Sequence, residues 1–336
     1  MNFITSHKFA RACDHVFSED LLQSQFTKLN KTEVMIIDKN GDRISYLTTK
    51  INLKSGESIF CKTDNLNFLF KTIKKYPNIT NLILVSSQDD KNINENILQK
   101  LPDNFKIWFA INTDIISENL QPIPLGIANY YEKNLNLSHF EKAQFVESYY
   151  SKKDYLMYIS FNISTNIDAR EPVYNYFRNK SWVKYAESEK IENYLEDLKN
   201  SNFVLCPRGN GIDTHRIWET LYAGAIPILE KNVHNLSFKN LPIYYYEDIS
   251  EVTEQSLLNF LKNKKEYNLE QIDFNFWNVE LNKRKVTNNT MTEVKVSKKS
   301  AKNFILQRRL FSSINHFLKI INFRLRQILN LFSKKQ

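Results

Sequence analysis

Apolar positions along the chain alternate between short unbroken runs and helical stripes. Runs of strand length stand at Ser58–Cys61, Thr80–Ser86 (TNLILVS), Lys106–Asn112 (KIWFAIN), Tyr155–Phe161 (YLMYISF), Phe203–Leu205, Ala225–Leu229 and Ile243–Tyr246. The unbroken runs predict parallel strands covered on both faces. Shorter strands are expected at Asn2–Thr5 and Glu33–Ile37, with a helical stretch near Ser18–Lys28 between them. Helical patterns fall between the runs. Asn65–Lys75 turns Leu66, Leu69, Phe70 and Ile73 inward. Further helices are expected at Asn92–Leu101, His139–Tyr150, around Arg170–Phe177, and at Ser188–Leu198, Thr214–Tyr222 and Glu254–Lys264. Strands alternating with helices predict an α/β fold of doubly wound sheets, which collect ligands at the carboxyl ends of their strands.

The most informative stretch is SNFVLCPRGNGIDTHRIWETLYAGAIPILE, Ser201–Glu230. It reads as strand, loop, helix, strand. The loop Pro207–Asp213 holds Gly209 and Gly211, Asp213 is placed to cap the helix, and Gly224 stops it. Free backbone N–H groups at such a loop and helix start favour an anion. Arg208, Asn210, Thr214, His215 and Arg216 add donors or charge there, and Glu219 follows Arg216 by one turn. A ligand with a phosphate at one end and hydroxyls at the other suits the set. Taken singly, the residues have plainer readings: a helix-surface pair for Arg216 and Glu219, a structural histidine, a glycine turn.

Length and charge sharpen the picture. The chain has 336 residues, which predicts two domains. The expected boundaries are 1–150, 151–282 and a 283–336 segment of polar linker and basic tail. Three cysteines (Cys13, Cys61, Cys206) suit neither a disulfide framework nor a zinc site, and they point to a reducing compartment. No signal peptide or membrane span is expected. From Val294 to Gln336 there are eleven Lys and Arg and no acid, so the net charge of +9 belongs to the tail, and the rest of the chain carries −2. This argues against a nucleic-acid-binding body.

PRGNGIDTHRIWETLYAGAIPI resembles the signature of exostosin-like glycosyltransferases, including their ribitol xylosyltransferase branch. Pro207, Gly209, Gly211, Asp213, Thr214, Arg216, Glu219, Gly224, Ile226, Pro227 and Ile228 carry the resemblance. It implies a GT-B fold of two Rossmann-like domains facing a cleft and an inverting reaction on a nucleotide-sugar donor, most readily a UDP-sugar. Arg216 would hold the diphosphate and Glu219 the ribose. The resemblance extends to Thr165, Asn166 and Arg170 after the first strand of the second domain, as further donor-side residues. It also covers Asn112 with Pro122–Gly126 on the acceptor side, and a carboxylate after TNLILV as general base. Asp90 fits the family spacing to Ile93 better than Asp89 does. Capping or turn formation would account equally for these acids and for Asn112, Thr165 and Asn166. No spaced pair of aspartates suggests a metal, and no cofactor is expected.

In the tail, Leu310, Ile314, Phe317, Ile321, Leu325, Ile328 and Phe332 form one helical stripe among cations. A basic amphipathic helix over 302–336 reads as an anchor to an anionic membrane surface, or as a helix packed on the body or a second chain. The reading is therefore a peripheral, cytoplasmic glycosyltransferase on the inner membrane face, acting on a surface polysaccharide or glycolipid. A nucleotide-sugar epimerase of the same fold and a non-catalytic glycan- or nucleotide-binding protein remain open.

Overall fold

The computed structural model describes residues 2–29, 33–129, 152–186, 190–263, 266–286, 290–308 and 310. Eight strands belong to the first part of the chain: β1 (His15–Leu22), β2 (Val34–Asn40), β3 (Arg43–Thr48), β4 (Lys50–Lys54), β5 (Ser58–Lys62), β6 (Leu82–Ser87), β7 (Phe105–Ala110) and β8 (Leu120–Pro122). Seven of them form a sheet in the order β2-β3-β1-β5-β6-β7-β8. β1 and β5 to β8 run parallel, while β3 and β2 extend the edge as an antiparallel hairpin. β9 (Tyr155–Ile159), β10 (Val183–Tyr185), β11 (Ser201–Leu205), β12 (Ile226–Glu230) and β13 (Tyr244–Tyr246) form a second, all-parallel sheet, ordered β10-β9-β11-β12-β13. The protein is mixed α/β with parallel sheets.

The alternating side chains of each strand explain the layers. In β6, Ile83 and Val85 face one core while Leu82 and Leu84 face another. In β11, Val204 shares that first core, whereas Phe203 and Leu205 join Phe177 and Leu257 on the opposite face. The first core is thus continuous between the sheets. Tyr222 fastens them at one point: its hydroxyl accepts from Ile4 N at 2.9 Å and donates to the Ile272 carbonyl at 2.8 Å. Phe274 opens the helix Phe274–Asn282 and packs edge-on against Phe9.

Several expectations need correction. Asn2–Thr5 is not a strand; the Thr5 side chain accepts from Lys8 N and caps the helix Ser6–Ala12. The expected helix near Ser18–Lys28 is mostly β1, with only Gln23–Phe26 helical. Ser18, Glu19 and Asp20 look like exposed helix residues in sequence, but each is buried and partnered from afar. Asp20 meets Lys62 at 2.7 Å and Ser45, while Glu19 meets Arg11 and Tyr46. The polar Lys283–Ser300 segment is not linker throughout, because β14 (Met291–Lys295) pairs antiparallel with β4. A helix follows at 298–308. Ala301 is buried and Phe304 stacks on Phe68 at 4.5 Å, so this part of the expected membrane helix packs on the body. The helix expected at His139–Tyr150, the chain junction at 150–151 and the stripe beyond Leu310 lie outside the described residues. Among the described residues no helix is long and apolar enough to cross a membrane.

Candidate functional site

In the second sheet the chain moves from β9 outward to β10, then returns past β9 to β11. The strand order reverses between β9 and β11, and ligands of open α/β sheets gather beyond the carboxyl ends of such a pair. The loop that carries Arg208 and the loop that leads into the Arg170 helix emerge there.

After β9, Asn166 caps the helix Ile167–Phe177 by accepting from Ala169 N, and its Nδ2 donates to the Gly209 carbonyl at 2.7 Å. The capping reading is therefore correct, with a bridge between loops added. Arg170, only 5% exposed, spends Nε on the Arg208 carbonyl (3.0 Å) and Nη1 on the Asn162 carbonyl (2.7 Å). Burial, reinforced by the nearby Arg216 charge, brings its pKa down to about 10. Arg170 holds the loops together as well as adding charge. Thr165 and Asn210 are exposed at the rim.

After β11, the two glycines lie in tight surroundings, Gly211 more so than Gly209. A Cβ at Gly209 would stand 3.3 Å from Arg170 Nη2, and one at Gly211 would stand 2.8 Å from Asn112 Nδ2. Asn112, at the end of β7 with φ +54°, accepts from Asp213 N at 2.8 Å and donates to the Asp89 carbonyl at 3.2 Å. It joins the two sheets.

Asp213 is not the helix cap. The helix His215–Tyr222 has Thr214 at that position, without a side-chain capping bond. The Asp213 carboxylate instead accepts from Leu125 N (2.8 Å), Trp218 Nε1 (2.8 Å) and His234 Nε2 (3.2 Å). Thr113 N donates to His234 Nδ1, which leaves the imidazole proton on Nε2, facing Asp213. His215 Nδ1 donates to the Gly126 carbonyl at 2.7 Å. Asp213, His215 and His234 therefore clamp the second-sheet loop onto the first-sheet loops. His234 carried no local sequence signal.

Arg216 and Glu219 are not a surface pair. Glu219 is 1% exposed, and no ion pair joins the two. The hydroxyl of Tyr194 donates to Glu219 Oε2 at 2.6 Å, and the Arg216 guanidinium lies over the Tyr194 ring, 5.7 Å from its centroid. Burial opposes the Arg216 charge, but Tyr194, Glu219 and Cys206 around it outweigh burial and hold its pKa above the ordinary value. Four buried polar atoms here have no hydrogen-bond partner among the described residues: Arg208 Nε, Thr214 Oγ1, Arg216 Nε and Glu219 Oε1. Buried polar groups are nearly always paired, so this concentration within twelve residues singles the loop out as a candidate site.

On the first sheet, Asp90 is exposed, whereas Asp89 is half-buried and accepts from Lys91 N at 3.0 Å. Burial and the charge and hydrogen bond of Asp64 push the Asp89 pKa up to about 7, with Lys62 opposing. Asp64 in turn is paired with Arg308 at 2.7 Å.

A parallel sheet with guanidinium groups and unpartnered polar atoms beside its switch point defines a protein of the α/β class. Residues 144–263 match the family model described as RXYLT1 C-terminal domain. The match bears out the resemblance read from Pro207–Ile228: this stretch is ribitol-xylosyltransferase-like, which speaks for a glycosyltransferase in general terms. The matched residues include Arg170, Arg208, Arg216 and Glu219 but not Asp89. No curated protein matches the chain.

Proposed function

We propose that the protein transfers a sugar from a nucleotide-sugar donor, of UDP type, to a glycan acceptor, with the two sheets acting as the halves of a GT-B enzyme. The observation that carries this reading is the group of unpartnered atoms on Arg208, Thr214, Arg216 and Glu219. A diphosphate satisfies the guanidinium and hydroxyl donors, and a ribose hydroxyl satisfies the Glu219 acceptor. The acceptor hydroxyl then approaches from the first sheet. Its oxygen bonds to the anomeric carbon as the bond from that carbon to the diphosphate oxygen breaks, with inversion. The hydroxyl proton passes to a carboxylate, for which half-buried Asp89 is better placed than exposed Asp90.

Negative charge grows on the leaving diphosphate, and prealigned cations there supply the largest part of the catalysis. Arg216 and Arg208, backed by Arg170, fill the role that a metal ion has in other transferases, so the reaction is proposed to need none. The epimerase alternative is less well supported, because both nitrogens of His234 are engaged by protein. The acceptor is proposed to be a membrane-bound polysaccharide or glycolipid on the cytoplasmic face, reached through the basic residues beyond Leu310.

Thermal-shift and calorimetric titration with UDP, GDP and CDP and their sugars tests the proposal, since a ligand that binds the native state raises its apparent stability. UDP or a UDP-sugar is expected to bind and raise the melting temperature. No heat and no shift with any of them would remove the donor assignment.

A further inference from the structure

Tyr194 lies on the helix Ile191–Lys199, which sits directly before β11 in the chain and packs beside the Arg216 helix. One buried side chain touches both unpartnered residues. Its hydroxyl holds Glu219 Oε2 and its ring face carries the Arg216 guanidinium. Burial, and then the Glu219 charge, push the phenol pKa well above its ordinary value, so the hydroxyl keeps its proton and stays a donor. Oε2 thus has its donor, and the carboxylate atom left without a partner is Oε1. A carboxylate oxygen accepts hydrogen bonds, so Oε1 calls for an O–H or N–H donor. Arg216 Nε, one turn earlier on the same helix face, calls for an anion. A hydroxyl close to a phosphate is what a ribonucleotide presents and what a deoxyribonucleotide partly lacks.

We propose that Tyr194 is a positioning residue that sets the specificity of the donor site, making it select ribonucleoside diphosphates over their deoxy analogues by aiming Glu219 Oε1 at a ribose hydroxyl. The proposal rests on the nucleotide-donor reading. Tyr194 does not touch the reacting atoms; it acts through Glu219 and, separately, through Arg216. These two actions can be separated by mutation. Tyr194→Phe removes the hydroxyl and keeps the ring beneath Arg216. Glu219 Oε2 then loses its donor and the carboxylate is free to turn, so Oε1 no longer has a fixed direction.

The experiment is calorimetry of the full chain with UDP, 2′-deoxy-UDP, 3′-deoxy-UDP and inorganic pyrophosphate. Sites built to hydrogen-bond a hydroxyl reject the analogue lacking it strongly, so the native protein is expected to prefer UDP over one deoxy analogue by about a hundredfold or more. Tyr194→Phe is expected to shrink that ratio to below about tenfold while pyrophosphate affinity stays within about twofold. Tyr194→Leu, which also removes the ring, is expected to weaken pyrophosphate as well. An unchanged UDP to deoxy-UDP ratio in a folded Tyr194→Phe protein overturns the specificity role and leaves the donor site standing. So does an equal loss of UDP and pyrophosphate, which would mark a merely structural tyrosine. If the native protein binds neither UDP nor pyrophosphate, the donor reading itself fails, and this inference with it.

Discussion

The carboxamide of Asn112 occupies the space in which a side chain at Gly211 would stand, with Nδ2 2.8 Å and Oδ1 2.9 Å from the position of a Cβ there. One residue follows β7 of the first sheet and the other lies in the loop that carries Arg208. Their contact sets how the two halves meet.

Gly211→Ala is therefore expected to push the loop off Asn112 and break the bond from Asp213 N. Overpacking of this kind costs about 1–3 kcal/mol. Denaturant unfolding measures it. Asn112→Ala in the same chain is expected to recover part of the loss, which a double-mutant cycle would show as non-additivity. Simple addition of the two effects would mean that the contact carries no strain.

Arg216→Ala is expected to lower kcat by about a hundredfold or more, as loss of a prealigned group at a charged transition state does. Some stability is expected to be lost as well, because the surroundings of Arg216 favour its charge, offset in part by relief of Arg170, whose pKa it helps to depress. Kinetics together with a melting curve separate the two effects. Full activity in the variant would show that the diphosphate lies elsewhere.

Asp89 ties activity to pH. With a folded-state pKa raised to about 7, the native protein holds this proton more tightly than the unfolded chain does. That stabilisation is complete below the ordinary carboxylate range and is lost as pH rises through about 7. Asp89→Asn is accordingly expected to gain stability relative to the parent above pH 7, to show no such gain near pH 4, and to lose most turnover. In the parent, kcat/KM should rise with pH through about 7. A flat profile would assign the base to another residue.

Arg308 reaches this acid pair from the helix at 298–308 by its bond to Asp64. Arg308→Ala removes the cation paired with Asp64, so the proton shared with Asp89 is bound more tightly and the rising limb moves to higher pH. The pH profile of the variant is the check.

Asp213→Asn tests a residue whose sequence context suggested donor binding and whose contacts are structural. Its carboxylate serves Leu125, Trp218 and His234 together. The variant is expected to lose about 1–3 kcal/mol of stability, the cost of leaving buried partners unsatisfied. The ratio of UDP to deoxy-UDP affinity should not change.

Local pattern was enough for much of this protein. The runs at β6, β7, β9 and β11 are apolar on both faces, so any fold had to bury them between layers, and the glycines of 207–216 announced a crowded loop. The 144–263 match agrees with that stretch. What sequence could not show is how side chains meet across long separations. Ser18–Leu22 reads as polar helix until Lys62, Ser45, Arg11 and Tyr46 arrive to neutralise it as a strand. Asp213 reads as a cap until the first-sheet loops bring Leu125 N to it. Tyr194 reads as an ordinary helix residue, and only the packing of its helix against the Arg216 helix places its hydroxyl on Glu219 and its ring beneath Arg216. Burial of apolar runs is decided by neighbours a few residues away. The partner of a buried charge is chosen by whichever distant group the folded chain brings within hydrogen-bond reach, and that is why the strands were legible and the site's wiring was not.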